Sequence, residues 1–163
     1  MPSWTRDPTR CPNPINARAD GIADKPTFCG AFRHGRCLIP ASGFFKWKTT
    51  GKAKVPHFIR PAFGVIFVFA GLESNWAGPD GKITTCAIIT TEPNSLMVGI
   101  RNRMPVILAP DDAETWLDPE QKQEALLRLL RPCPAEQMEA FPVSPLVNNA
   151  RNDGPELFAP AEQ

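Results

Sequence analysis

The chain has no aspartate or glutamate anywhere between residues 25 and 72. That stretch carries Lys25, Arg33, Arg36, Lys46, Lys48, Lys52, Lys54 and Arg60, a local charge of +8. Residues 109–163 carry eleven acids against four basic residues, or −7, so the overall +1 hides a strong asymmetry. A basic half interleaved with Phe28, Phe32, Phe44, Trp47 and Phe58 suits a polyanion, most simply nucleic acid. The same charges also fit a solvated face turned toward the acidic tail. Histidine is scarce, with His34 and His57 alone, and none of the five cysteines (Cys11, Cys29, Cys37, Cys86 and Cys133) forms a C-x-x-C pair. The sequence therefore offers no zinc site, and free thiols in a reducing cytoplasm are expected. No run approaches the ~20 apolar residues of a membrane span, and the first residues lack the apolar core of a secretory signal. Internal repeats and low-complexity segments are absent. The expectation is a cytoplasmic protein with no metal, no other cofactor and no membrane partner.

Proline is plentiful instead. Nineteen prolines in 163 residues is roughly twice average usage and favours short strands and loops over long helices. The length suits one domain, residues 1–163, with a real core. Residues 1–15 are turn-rich and carry Trp4, which is either packed under the following loop or free to stack on a base. Asn16 to Asp20 is short and polar. A short helix is predicted after Pro26, with Phe28 and Phe32 on one face. Strands are predicted at Cys37–Pro40, Gly43–Lys48 and His57–Arg60, and Val65–Leu72 reads as a central strand. In the second of these, Phe45 and Trp47 share one face while Phe44, Lys46 and Lys48 share the other. Pro79-Asp80-Gly81 predicts a hairpin. Asp111-Asp112 is expected to cap a helix through Trp116-Leu117, and Asp118-Pro119-Glu120 to open a second helix that ends before Pro132. A last strand is predicted at Phe141–Val143. About seven short strands with three or four short helices predict an α+β fold on a curled, barrel-like (bifurcated), mostly antiparallel sheet.

The most informative stretch runs from Lys82 to Leu108. Ile83 to Thr91 is rich in β-branched residues and reads as a buried strand, and Val106–Leu108 as a short second one. Between them, Ile100-Arg101-Asn102-Arg103-Met104-Pro105 sets two arginines and an amide among apolar residues. Such groups belong at a strand end, where a scaffold presents them to a ligand. Alternatively, Arg101 and Arg103 cap carbonyls or pair with acids.

Seven motifs in order, Pro2-Ser3-Trp4, Ile15-Asn16-Ala17-Arg18, Arg36-Cys37-Leu38-Ile39-Pro40, Gly43-Phe44-Phe45-Lys46-Trp47-Lys48, Ile88-Ile89-Thr90-Thr91, Arg103-Met104-Pro105-Val106-Ile107-Leu108 and Pro142-Val143-Ser144-Pro145, resemble the SRAP family. These are the SOS-response-associated peptidases, or abasic-site processing proteins. The resemblance runs from Pro2 to about Pro160. It implies a sensor of abasic sites in single-stranded DNA, acting in the DNA-damage (SOS) response. It also implies an N-terminal cysteine whose α-amine and thiol condense with the ring-opened sugar aldehyde into a thiazolidine, a DNA–protein crosslink. An asparagine in the N-A-R motif, a glutamate in the strand resembling Gly43–Lys48 and a histidine before R-M-P surround that site in the family.

The match departs where the chemistry lies. A domain lacking the family's N-terminal segment, with its cysteine and first strands, is expected. Lys46 stands where the resemblance places glutamate, Arg101 where it places histidine, and Asn102 where it commonly places aspartate. Asn16 matches, as do Arg18 and the DNA-contacting Trp4. Asn16, Lys46 and Arg101 are thus the catalytic positions, the last two substituted, and Trp4, Arg18, Lys48 and Arg103 the DNA-binding ones. A lysine reverses the charge of a carboxylate, and arginine cannot shuttle protons near neutral pH. The leading expectation is a protein that binds single-stranded or abasic DNA, nucleoid-associated when bound, with the thiazolidine and autopeptidase chemistry lost. Alternatives are an enzyme capturing the aldehyde as an imine on Lys46 or Pro2, a misread gene start with an upstream cysteine, and a protein-interaction domain using the basic face. A sheet edge left bare would pair two copies into a homodimer.

Overall fold

The structure, a computed structural model, describes residues 5, 14–78 and 81–161. It is α+β, with mostly antiparallel sheets and short helices, as the sequence predicts, and the strands divide between two open sheets. The chain forms two compact units. One gathers residues 1–40, 68–91 and 105–132; the other gathers 41–67, 92–104 and 133–163.

The first unit holds β1 (Asn16–Arg18), α1 (Cys29–His34), β2 (Arg36–Ala41), β5 (Phe67–Gly78), β6 (Gly81–Thr91), α2 (Pro110–Leu117) and α3 (Gln123–Leu129). Its sheet runs β1-β6-β5-β2. β5 and β6 are antiparallel, in register from Gly71 opposite Ile88 to Gly78 opposite Gly81. The expected hairpin turn at Pro79-Asp80 lies outside the described residues. Strand alternation sends Ala17, Ala70, Leu72 and Ile89 into the core, where Phe32, Trp116, Leu126 and Leu130 of the helices cover them. The opposite face carries Asn16 and Arg18, both exposed.

Beyond Gly71 and Ile88 the sheet forks. Val106 donates its N–H to the Ile89 carbonyl (2.8 Å) and accepts from Ala70 (3.0 Å), while Leu108 donates to Val68 (2.9 Å). The regular strand here, β7, is Met104–Pro105 and pairs with β6. The strand predicted at Val106–Leu108 is thus a bridged continuation, hydrogen-bonded to both prongs.

Arg36 ties the helices together. Its guanidinium donates to the carbonyls of Phe32, Arg33, Trp116 and Asp118 at 2.6–2.8 Å, and the Trp116 indole donates to the Cys37 carbonyl at 3.1 Å. The expected caps fall differently. α2 begins at Pro110 after Ala109, with Asp111 and Asp112 in its first turn rather than at its cap. α3 begins at Gln123, not after Asp118. The Asp118 carboxylate instead accepts from the Glu120 N–H (2.9 Å) in the turn between the helices, the local bond that aspartate makes as readily as a helix cap.

The second unit is built on the sheet β3 (Phe44–Thr50), β4 (Ala53–Pro61) and β8 (Met138–Pro142). Gly51, at φ +60, makes the β3–β4 turn. One face stacks Phe45, Phe58, Phe141 and Phe158, with ring centroids 5.1–6.0 Å apart, and the Trp47 indole donates to the Asn148 amide oxygen (2.6 Å). The C-terminal segment covers this face. The other face carries Phe44, Lys46, Lys48, His57 and the fully buried Ile59. The predicted central strand at Val65 starts later, because Gly64 turns the chain at φ +84 and leaves Val65 and Ile66 exposed in the loop.

Candidate functional site

Lys46 sits mid-strand on β3, directly opposite His57 of β4. Directly opposed residues of an antiparallel pair share a face with Cβ atoms about 5 Å apart, so the two side chains leave the sheet side by side. Both are half-buried. The His57 Nδ1 lies 3.0 Å from the Val55 carbonyl, which can only accept. Nδ1 is therefore the donor, and in the neutral ring Nε2 keeps the lone pair.

The segment carrying Arg101 is pinned at both ends. Met97 and Met104 are fully buried. The Asn94 side chain accepts from the Met97 N–H (3.0 Å) and donates to the Cys133 carbonyl (2.9 Å). The Ile100 and Arg101 N–H groups close back on the Met97 carbonyl at 2.9 and 2.8 Å. Between these anchors Arg101 and Asn102 are exposed and Arg103 is half-buried. Arg101 is near enough to Lys46 for its charge to be felt there. Burial first, and the Arg101 guanidinium second, lower the Lys46 pKa from its ordinary 10.5. Among the described residues neither Lys46 nor Arg101 has a hydrogen-bond or ion-pair partner. Two adjacent cations without a counter-charge form an anion site.

The other expected residues fall as follows. Lys48 follows Lys46 two residues on, on the same face and exposed. Asn16 and Arg18 project from β1 in the first unit, and Arg18 is held by Asp20 at 2.7 Å. Trp4 lies outside the described residues, as does Pro2. Of the eight cations between residues 25 and 72, Arg36 is consumed by carbonyls, as described, and Arg60 pairs with Glu139. Those two serve the fold. His57 was legible in the sequence as a strand residue, but its place opposite Lys46 depends on a register that no local pattern gives.

Two of the thiols, Cys37 and Cys133, are poor nucleophiles. Burial, with the nearby Cys86 thiol and Glu73 adding to it, pushes Cys37 up to about 11. Burial takes Cys133 to about 11 as well. Among the described residues no three His, Cys, Asp or Glu side chains are grouped to hold a metal ion, and no helix is long and apolar enough to cross a membrane.

Residues 1–150 match the family model described as SOS response associated peptidase (SRAP). The chain is 42% identical over 161 residues to the abasic site processing protein YoqW of Bacillus subtilis, covering 97% of this chain and 72% of that protein. It is 34% identical to the abasic site processing protein HMCES of Gallus gallus, covering 99% of this chain and 55% of that one. A crystal structure of a protein from Bacteroides thetaiotaomicron superimposes with a TM-score of 0.92 at 33% identity, over 99% of this chain and 73% of the other.

Proposed function

The chain belongs to the SRAP family, and from that premise we propose that it binds abasic sites in single-stranded DNA, using Lys46, Lys48, Arg101 and Arg103 against the phosphates. The observation that supports this reading is the Lys46–Arg101 cation pair, which has no counter-charge among the described residues and which a phosphodiester would neutralise. Asn16, Arg18 and Trp4 belong to the same reading as further contacts to the strand. The relatives are named abasic site processing proteins, and an interrupted, unstacked strand is the substrate that such a platform fits.

The reading includes a change in chemistry. Where the family resemblance places a glutamate and a histidine, this chain presents Lys46 and Arg101. Neither can act as the acid–base pair that a carboxylate and an imidazole provide at neutral pH. Binding is retained and the family's thiazolidine and peptidase cycle is not.

The test is a titration of an abasic single-stranded oligonucleotide by fluorescence anisotropy, comparing the native chain with Arg101→Glu. Loss of one charge-assisted contact with a repulsive replacement should weaken binding by roughly 10–100-fold. Unchanged affinity in Arg101→Glu would remove Arg101 from the interface and return the basic face to a protein partner.

A further inference from the structure

We propose that the Lys46 amine is a nucleophile that captures the ring-opened aldehyde of an abasic sugar as a reversible imine. The inference rests on the DNA-binding reading for delivery of the sugar, but on the geometry of β3 and β4 for the chemistry.

Three features single out Lys46 among the seven lysines of the chain. Lys46 is half-buried in the middle of a strand, on the face shared with Phe44 and the buried Ile59. Among the described residues no carboxylate, carbonyl or hydroxyl holds its ammonium, whereas Lys25, for example, is tied to the Asp20 carbonyl at 2.9 Å. Arg101 stands beside it, and partial burial next to a second cation favours the neutral amine. An unheld, part-desolvated amine beside an anion-binding guanidinium is the arrangement that lets one group hold a phosphate while the other attacks the sugar.

The step balances without a co-reactant. The Nζ lone pair adds to the aldehyde carbon and forms the C–N bond. One proton passes from nitrogen to the former carbonyl oxygen, a second follows as the C–O bond breaks, and that oxygen leaves as water. The product is a C=N linkage that hydrolysis reverses. His57, directly across the strand with Nε2 as its lone-pair nitrogen, is the group placed to move those protons. Nothing in the step requires a thiol, consistent with Cys37 and Cys133 being held protonated.

The experiment incubates the full chain with an abasic single-stranded oligonucleotide, with and without cyanoborohydride, followed by a denaturing gel and peptide mapping. The expected result is an adduct that survives denaturation only when reductant is present, and that maps to Lys46. In Lys46→Arg, assayed at oligonucleotide concentrations that saturate each protein, adduct yield should fall at least tenfold, because a guanidinium forms no imine. An adduct on another lysine or on the N-terminal amine overturns the proposal, as does a bound strand that gives no adduct. A heat-stable crosslink formed without reductant also overturns it, because an imine does not persist in hot water. A second arm separates this inference from the binding reading. If the oligonucleotide fails to bind at low salt, the binding reading fails, and reductive labelling with free 2-deoxyribose then decides the chemistry. Preferential labelling of Lys46 over the other lysines supports it, and equal labelling refutes it. Because mapping uses the unsubstituted chain, a variant that does not fold leaves the test intact.

Discussion

Lys46 carries its charge where a folded chain tolerates charge poorly, half-buried on a strand, beside Arg101 and without a counter-ion among the described residues. Such an arrangement costs stability, and the cost has a sign in pH. The native amine releases its proton below the ordinary value of 10.5, while the unfolded chain holds it up to that value. Between those two points the unfolded state binds more protons, so native stability rises with pH through that window. Below it the penalty is fully present. Lys46→Met should therefore raise the thermal midpoint at pH 7 by roughly 2–4 °C. That gain should shrink as pH approaches 10.5. Calorimetry of the two proteins at pH 7 and pH 10 checks this, and a midpoint lowered at pH 7 would show that Lys46 has a stabilising partner. At this scale the sequence was informative about residue type. The acid-free run from 25 to 72 and the arginines before Met104-Pro105 both pointed to a cationic site. It was silent about which cations the fold consumes. Arg36 and Arg60 look like Lys46 and Arg101 in a composition count, and only packing shows that Arg36 ties α1 to α2 and that Arg60 pairs with Glu139.

The elements explain how Lys46 is held. Gly43 precedes β3, and a Cβ there would lie 2.5 Å from the Ile59 carbonyl oxygen and against the ring of Phe58. Neither neighbour is free to move: one is backbone, and the other packs among Phe45, Phe141 and Phe158. Gly43→Ala should cost roughly 1–3 kcal/mol, read as a drop in urea midpoint at unchanged slope. Since β3 starts there, the substitution should also weaken binding of abasic DNA. Stability unchanged within error would mean that β3 and β4 are not in the register that places His57 opposite Lys46. Strand existence was readable from alternation and β-branched content at Ile83–Thr91 and at Phe44–Lys48. Helix starts were less so. Asp118 looks like an N-cap, but its carboxylate closes a turn, because aspartate satisfies any nearby N–H with the same bond. The strand Asn16–Arg18 was not readable at all. Three residues have no periodicity to detect, and it forms by parallel pairing with β6, seventy residues away in sequence.

At the scale of the whole molecule, charge distribution matters more than net charge. Net +1 says little, since the basic and acidic segments cancel. Family membership was legible as seven short motifs in order, and three of them occupy positions that the fold constrains: the N-A-R strand on β6, the Gly43 approach to β4, the Met104-Pro105 pairing at the fork. The proposed change in chemistry was legible only as a departure from the pattern, at Lys46 and Arg101. The central claim is that these cations bind the phosphates of a single strand. Its most direct test is the salt dependence of binding to an abasic single-stranded oligonucleotide, with the matching duplex as comparison. Some three to five phosphate contacts at ~0.7 each predict a slope of log K against log salt of about −2 to −4, with the single strand bound more tightly at every salt concentration. A flat salt response, or a duplex bound as tightly as the single strand, would contradict the account.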